Sequence, residues 1–136
     1  MSNICVREIF SGSLLVAQIY DLDQSDDVIF PTPPTAEFQC GFGVVKERKS
    51  FKPHIHNKLQ RATSNTSEFI MVLKGELNVL FLDEAGAELG HASLKDHQAF
   101  LQFVGGHMIE IAEGTRYVEL KQGPYMGHSL DKMVLD

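Results

Sequence analysis

The chain reads EFIMVLKGELNVLFL from Glu68 to Leu82, and this stretch decides its fold class. It contains two short apolar runs of strand length, separated by Lys74-Gly75. Glycine supplies the positive φ that a tight turn between strands requires. We therefore predict one strand over Glu68–Leu73, a turn, and a second strand over Glu76–Leu82.

Runs of the same kind lie on both sides of this stretch. We predict seven further strands, near Leu14–Tyr20, Glu37–Lys46, Phe51–His56, Ala87–Leu94, Gln98–Phe103, His107–Ala112 and Thr115–Gln122. The turn signals at Asp83–Gly86 and Glu113-Gly114, together with Lys74-Gly75, predict three hairpins in series. Strands at these short intervals leave little room for crossover helices, so the pattern predicts an all-β barrel or sandwich.

Two segments do not fit this strand pattern. Phe30–Thr35 contains three prolines, which remove ladder donors and fix φ, so we expect it to be a crossing loop. Asn57–Ser67 is polar and too long for a hairpin turn. Loops of this length in small domains often bind ligands or cover a site.

Composition limits the classes of protein to consider. The 136 residues, 43% of them apolar, suit one domain spanning residues 1–136. A net charge of −6 argues against a nucleic-acid partner, and no apolar run approaches the roughly 20 residues of a membrane span. The N-terminus lacks a signal-peptide pattern, and Cys5 and Cys40 are too few for a disulfide framework. We expect a cytoplasmic protein whose two cysteines behave as small buried hydrophobic residues.

His54-Ile55-His56 is the first candidate for chemistry. Histidines at i and i+2 of a strand lie on the same face, as two ligands of one metal ion require. The same pattern also fits an exposed strand face with Ile55 in the core. The pair alone does not separate these two interpretations.

The residues that follow the histidine pair resemble the first motif of the cupin superfamily. In that motif His-x-His is followed by Glu-x6-Gly, and here His54, His56, Glu68 and Gly75 occur in this order. Eleven residues separate His56 from Glu68, where the motif usually has three or four. The second cupin motif contributes one more histidine, which Gly105-Gly106-His107 matches.

A closer resemblance covers Glu37 to Tyr125. It is to a group of small single-domain cupins with a proline before H-x-H-N, then Arg and Thr in the following loop, then E-x6-G, G-G-H-x-x-E and K-Q-G-P-Y. The matching positions are Pro53, His54, His56, Asn57, Arg61, Thr66, Glu68, Gly75, Gly105, Gly106, His107, Glu110, Lys121, Gln122, Gly123, Pro124 and Tyr125. Such proteins are often encoded near genes for surface polysaccharide or sugar-nucleotide synthesis.

The resemblance implies a double-stranded β-helix, the jelly-roll barrel of cupins, with a divalent metal ion. The implied ligands are His54, His56, His107 and Glu68. Imidazole and carboxylate donors suit Fe, Mn, Ni or Zn. Three imidazoles and one carboxylate would leave open positions on an octahedral ion, as catalysis requires.

Three more residues are candidates for contact with a substrate. Arg61 follows the histidine pair in the polar loop, where its guanidinium would hold an anionic or sugar oxygen or remain a solvated cation. Glu119 and Lys121 lie two residues apart on the last predicted strand and would provide a base and a cation. If Val118 and Leu120 fill the barrel, however, both would point to solvent or to a partner subunit.

Three functions remain open on the sequence alone. The leading hypothesis is a metal-dependent isomerase or epimerase acting on a small polar, sugar-derived metabolite. The alternatives are a non-catalytic sugar-binding module and a metal-free sugar-nucleotide isomerase or epimerase that uses a histidine base. We also expect a homodimer, because small barrels of this resemblance commonly pair and the strand Leu14–Tyr20 would otherwise present an open edge.

Overall fold

The structure, a computed structural model, describes residues 4–136. The chain forms eight strands in this part: β1 Cys5–Ser11, β2 Leu14–Asp21, β3 Glu68–Lys74, β4 Leu77–Leu82, β5 Glu88–Leu94, β6 Gln98–Gln102, β7 Gly106–Ile111 and β8 Arg116–Lys121. A single turn of 3-10 helix covers Leu22–Gln24, and the short helix α1 covers His128–Asp131. The prediction of an all-β fold is confirmed.

The strands form two antiparallel sheets. The first sheet has the order β1-β2-β6-β3-β8, and the second has the order β5-β4-β7. On one side β1 contacts β5, where the Arg7 guanidinium donates a hydrogen bond to the carbonyl oxygen of His91. On the other side β7 and β8 are edge strands, and no further described strand pairs with either.

The main core lies between the two sheets. Ile70 and Val72 on β3 face Leu77 and Phe81 on β4, and all four side chains are buried. A second apolar cluster covers the outer face of the first sheet, where Phe42 packs on Tyr20 with ring centroids 4.8 Å apart. The crossing segment around Ile29–Phe42 therefore acts as a cover for that face.

Seven of the nine predicted strands are confirmed. The two wrong predictions are Glu37–Lys46 and Phe51–His56. The first has only an isolated bridge between Phe42 and Ile29, and the second has no regular structure. A strand exists only when another backbone accepts and donates its hydrogen bonds along several residues, and in the described residues neither stretch has such a partner beyond the one bridge at Phe42.

The strand β1 was not predicted, because Arg7 and Glu8 interrupt its apolar run. It pairs along one edge of β2 while β6 pairs along the other. The predicted open edge at Leu14–Tyr20 is therefore wrong. The expectation of a homodimer loses that argument and remains a prediction.

Of the three predicted hairpins, only the turn at Asp83–Gly86 joins paired strands, β4 and β5. The turns at Lys74-Gly75 and Glu113-Gly114 instead carry the chain from one sheet to the other, because β3 pairs with β8 and β4 pairs with β7. Both glycines have positive φ, as predicted, at +120° for Gly75 and +79° for Gly114. A tight turn thus fixes the local backbone without deciding which strands pair.

The two cysteines are shielded from solvent. Cys5 is buried and Cys40 is half-buried, and burial raises the pKa of each thiol to about 11. A thiol with such a pKa is almost entirely protonated near neutral pH and is a poor nucleophile. This agrees with their predicted role as small hydrophobic residues. Within residues 4–136, no helix has the length and apolar character needed to cross a membrane.

Candidate functional site

The space between the sheets is open to solvent along β7 and β8. Ile111 of β7 lies opposite Leu77, and Tyr117 of β8 lies opposite Val72, so both face the core side of their sheets. Ile111 is nevertheless 41% exposed and Tyr117 is 44% exposed, whereas their two partners are fully buried. We call the gap between β7 and β8 the open cleft.

A row of polar side chains lines one end of the open cleft. Glu68 at the start of β3 lies directly opposite Gln102 of β6 and Lys121 of β8. Directly opposed residues of antiparallel strands share a face. The next residue on this face, Ile70, belongs to the core between the sheets, so the row points toward the second sheet. Glu119, opposite Ile70, lies on the same face.

His107 faces this row from the second sheet. It lies opposite Phe81, a core residue, and its ring packs edge-on against Phe100 with centroids 6.3 Å apart. The preceding Gly105 has φ +87°, and a Cβ at this position would lie 2.4 Å from the carbonyl oxygen of Leu82. Only glycine therefore allows the backbone turn that leads into β7 and directs His107 inward.

The side chain of Gln102 determines which nitrogen of His107 carries the proton. Its amide nitrogen donates hydrogen bonds to the carbonyl oxygens of Val104 and Gly106, at 3.0 and 2.8 Å. Its amide oxygen therefore faces Nδ1 of His107, at 2.7 Å, and accepts a hydrogen bond from Nδ1–H. The neutral imidazole is fixed as the Nδ1–H tautomer, which leaves the lone pair on Nε2.

The lone pair of His107 points at the carboxyl group of Glu68. Nε2 of His107 and Oε2 of Glu68 lie 3.5 Å apart. Burial is the main cause that raises the pKa of Glu68 to about 7, and a hydrogen bond to the neighbouring Glu119 contributes to this rise. Burial lowers the pKa of His107. Near neutral pH the site thus contains a neutral imidazole beside a carboxyl group that holds a proton part of the time, an arrangement suited to proton transfer.

The last residue of β8, Lys121, places a cation at the rim of the cleft, and the C-terminal tail contacts it. Nζ of Lys121 lies 3.0 Å from Oδ2 of Asp131, which belongs to α1, and 5.6 Å from the ring centroid of Tyr125. The hydrogen bond to Asp131 raises the pKa of Lys121, which is therefore charged at neutral pH. A half-buried ammonium group in this position can hold an anionic or carbonyl oxygen of a bound molecule.

The structure brings together four of the seven residues proposed from the sequence. Glu68, His107, Glu119 and Lys121 all face the open cleft. The question of which face Glu119 and Lys121 occupy is thereby answered, because Val118 and Leu120 lie on the outer face of the sheet. The other three proposed residues, His54, His56 and Arg61, lie outside the cleft on an exposed segment.

The metal ligands implied by the cupin resemblance do not converge in one copy of the chain. Among residues 4–136, no three His, Cys, Asp or Glu side chains are grouped as an ion would need. Glu68 and His107 form one half of the implied set. His54 and His56 form the other, with ring centroids 5.2 Å apart on the exposed segment. The residues as placed therefore do not fit a four-ligand site.

Sequence reasoning did not identify Gln102 and Asp131 as parts of this site. Gln102, the last residue of β6, is a buried polar side chain at 3% exposure, directly after the buried apolar residues Ala99 to Leu101. A glutamine in the run QAFLQ was the available signal, since a buried amide must find partners. Asp131 had no local signal, because its contact with Lys121 depends on how the tail folds back.

Comparison with family models, with curated proteins and with solved structures finds no match for this chain.

The role of Gln102 in fixing the tautomer is testable by NMR. In the wild-type protein we expect 15N shifts of a protonated Nδ1 and an unprotonated Nε2 for His107 above its pKa. Gln102→Ala removes the acceptor for Nδ1–H, so the signal should move toward the Nε2–H tautomer. The exposed His91 should be unchanged in the same spectra. Finding Nε2 protonated in the wild type would contradict the assignment.

Proposed function

We propose that the chain is a cupin-type enzyme, an isomerase or epimerase that moves a proton on a small polar, sugar-derived metabolite. The observation that carries the proposal is the pair formed by Glu68 and His107, with Nε2 and Oε2 3.5 Å apart at the open cleft. The two residues come from different sheets and from the two separate motifs of the cupin resemblance. The proposed setting in polysaccharide or sugar-nucleotide biosynthesis rests on that resemblance.

The strand order supports a double-stranded β-helix. A jelly roll contains eight strands in two sheets of four. The orders β6-β3-β8 and β5-β4-β7, with turns that cross between the sheets, correspond to three strands of each four. The unpaired edges of β8 and β7 are the positions where the fourth strand of each jelly-roll sheet would pair.

The proposed proton transfer uses groups of this chain alone. Nε2 of His107 takes a proton from a carbon or hydroxyl group of the substrate, since its lone pair faces the cleft end. The carboxyl group of Glu68, protonated part of the time at neutral pH, returns a proton at the neighbouring position. The ammonium group of Lys121 stabilises the negative charge that develops on the substrate oxygen. Glu119 accepts hydrogen bonds from sugar hydroxyl groups.

The divalent ion implied by the resemblance, Fe, Mn, Ni or Zn, would require His54 and His56 beside Glu68 and His107. One copy of the chain does not bring these side chains together. For this reason no step of the proposed reaction passes through an ion. A metal-dependent version becomes the better description if the exposed histidines are delivered to the cleft.

Isotope exchange tests the enzyme proposal even while the substrate is unidentified. The protein is incubated in D2O with a panel of nucleoside diphosphate sugars and sugar phosphates, and deuterium at carbon is measured by mass spectrometry. We expect exchange in one compound class and a loss of roughly 100-fold or more in His107→Gln and Glu68→Gln. The exposed histidine variant His91→Gln is the matched control and should keep the wild-type rate.

Two outcomes would contradict the enzyme. Saturable binding of a sugar without deuterium exchange would identify a binding module. Exchange that survives His107→Gln would place the chemistry elsewhere in the molecule.

A further inference from the structure

Residues 43–66 form one continuous exposed segment, which we call the arm. All 24 of these residues are exposed, and none belongs to a strand or helix. Both ends of the arm are fixed to the first sheet. Phe42 lies 6.2 Å from Phe69, between ring centroids, and Ser67 is buried, with its backbone N–H donating to Oε1 of Gln122. The arm therefore leaves the body and returns to it at nearly the same place, beside the open cleft.

Part of the arm carries large apolar side chains, which are usually buried. Phe51, Ile55 and Leu59 are large apolar residues, and Ile55 is 93% exposed. Several large apolar side chains exposed along one short segment are typical of a surface that another surface covers. At the base of the arm, Nε2 of Gln122 is buried without a hydrogen-bond partner in the described residues. An acceptor from a segment docked near this point would satisfy it.

The arm and the body have opposite charge. The arm contains six Lys or Arg residues and one Glu, a net charge of +5. The other 112 residues contain six Lys or Arg and 17 Asp or Glu, a net charge of −11. Two exposed acidic residues lie at the rim of the open cleft, Glu113 in the turn between β7 and β8 and Glu119 on β8. A positive arm therefore complements the rim of the cleft.

We propose that the arm of each copy docks in the open cleft of a second copy of this chain, in a reciprocal exchange. Each copy has one projecting arm and one open cleft, so a twofold dimer satisfies both copies at once. The unpaired edges of β7 and β8 can accept an extended segment as an added strand. In this structure the arm leaves its own cleft uncovered, although its C-terminal end adjoins Glu68.

The exchange has a consequence for the site, and this part rests on the proposed function. In an extended arm, His54 and His56 share one face and Ile55 takes the other. With Ile55 packed against the partner, the two imidazoles would face the end of the cleft that holds Glu68 and His107. Each site would then be composed of residues from two copies.

Photo-crosslinking tests the exchange directly. The probe is p-benzoylphenylalanine introduced in place of Ile55, with irradiation at low micromolar concentration. We expect a covalent dimer on a denaturing gel, with crosslinked peptides from β7 or β8. The same probe in place of Phe30, an exposed aromatic residue outside the arm, is the matched control and should give monomer only.

A monomer band whose crosslink joins the arm to β7 or β8 of the same chain would overturn the exchange, because the arm would then cover its own cleft. Absence of any crosslink to β7 or β8 would overturn docking altogether. Neither readout depends on a substrate or an ion, so a failure of the proposed enzyme activity would leave this result unaffected.

Sedimentation velocity provides a second measurement. Replacing residues 46–62 by a Gly-Ser linker should convert a dimer of the full chain into a monomer at the same concentration, while the β-sheet circular dichroism spectrum is retained. A full chain that sediments as a monomer, or a shortened chain that remains a dimer, would contradict the proposal.

Discussion

Gly75→Ala is expected to lower the free energy of unfolding by roughly 3–5 kcal/mol, a large effect for a single substitution. Gly75 has φ +120°, and a Cβ at this position would lie 2.4 Å from Oγ1 and 2.8 Å from Cα of Thr115. Thr115 cannot move aside easily, because its hydroxyl group bonds both the N–H and the carbonyl oxygen of Glu76, each at 3.1 Å. Urea unfolding followed by circular dichroism measures the loss.

Gly114→Ala is the matched control for the backbone conformation. Gly114 also has positive φ, at +79°, but a Cβ there meets nothing within 4 Å. It should therefore cost only the strain of a left-handed conformation, about 1–2 kcal/mol. Equal losses in the two variants would show that the contact with Thr115 has no effect on stability.

Glu68→Gln is expected to raise stability above pH 7 and to leave it almost unchanged near pH 4. Burial raises the pKa of Glu68 from 4.5 to about 7. Compared with its ionised form, a carboxyl group with a raised pKa favours folding when it is protonated in both the folded and the unfolded protein. That contribution is present below about pH 4.5 and is lost as the pH rises through about 7. The difference at pH 8 should be on the order of 2 kcal/mol in favour of the variant.

Urea unfolding in the presence of a chelator, at a series of pH values, measures this difference. The lowered pKa of His107 changes stability in the opposite direction. As the pH falls below 6.5, the unfolded state takes up a proton on this residue before the folded state does, so the folded protein loses stability. Both proteins retain His107, so subtracting the two curves isolates Glu68. Glu110→Gln on the outward face is the control and should follow the wild type. A difference that is constant between pH 4 and pH 8 would contradict a raised pKa for Glu68.

The acid–base pair at the cleft could be anticipated only in part. The motifs indicated Glu68 and His107 as residues of one site, with eleven residues between His56 and Glu68 where the motif usually has three or four. Their contact needed the pairing of β3 with β6 and of β4 with β7, which brings together residues 39 positions apart. The tautomer of His107 follows from the orientation of Gln102, which is set by two backbone carbonyl oxygens. No sequence pattern indicates that geometry.

The local strands could be predicted from the amino-acid sequence. The apolar runs at Leu14–Tyr20 and from Glu68 to Gln122 predicted seven strands because alternation, β-branched residues and glycine turns act over a few neighbouring positions. The positive φ at Gly75 and Gly114 was predictable for the same reason. These features depend on the steric preferences of neighbouring residues, which can be predicted from the residue types alone.

Which of these stretches pair with another strand depends on contacts between residues far apart in the sequence. Phe51–His56 has the alternation of a strand, yet it remains outside both sheets, because a strand forms only where another backbone satisfies its hydrogen bonds. The turn at Gly75 was predictable, but its crossing from one sheet to the other was not, since local backbone geometry does not specify pairing between distant strands. The open cleft between β7 and β8, and hence the place where Glu68 meets His107, follows from that pairing alone.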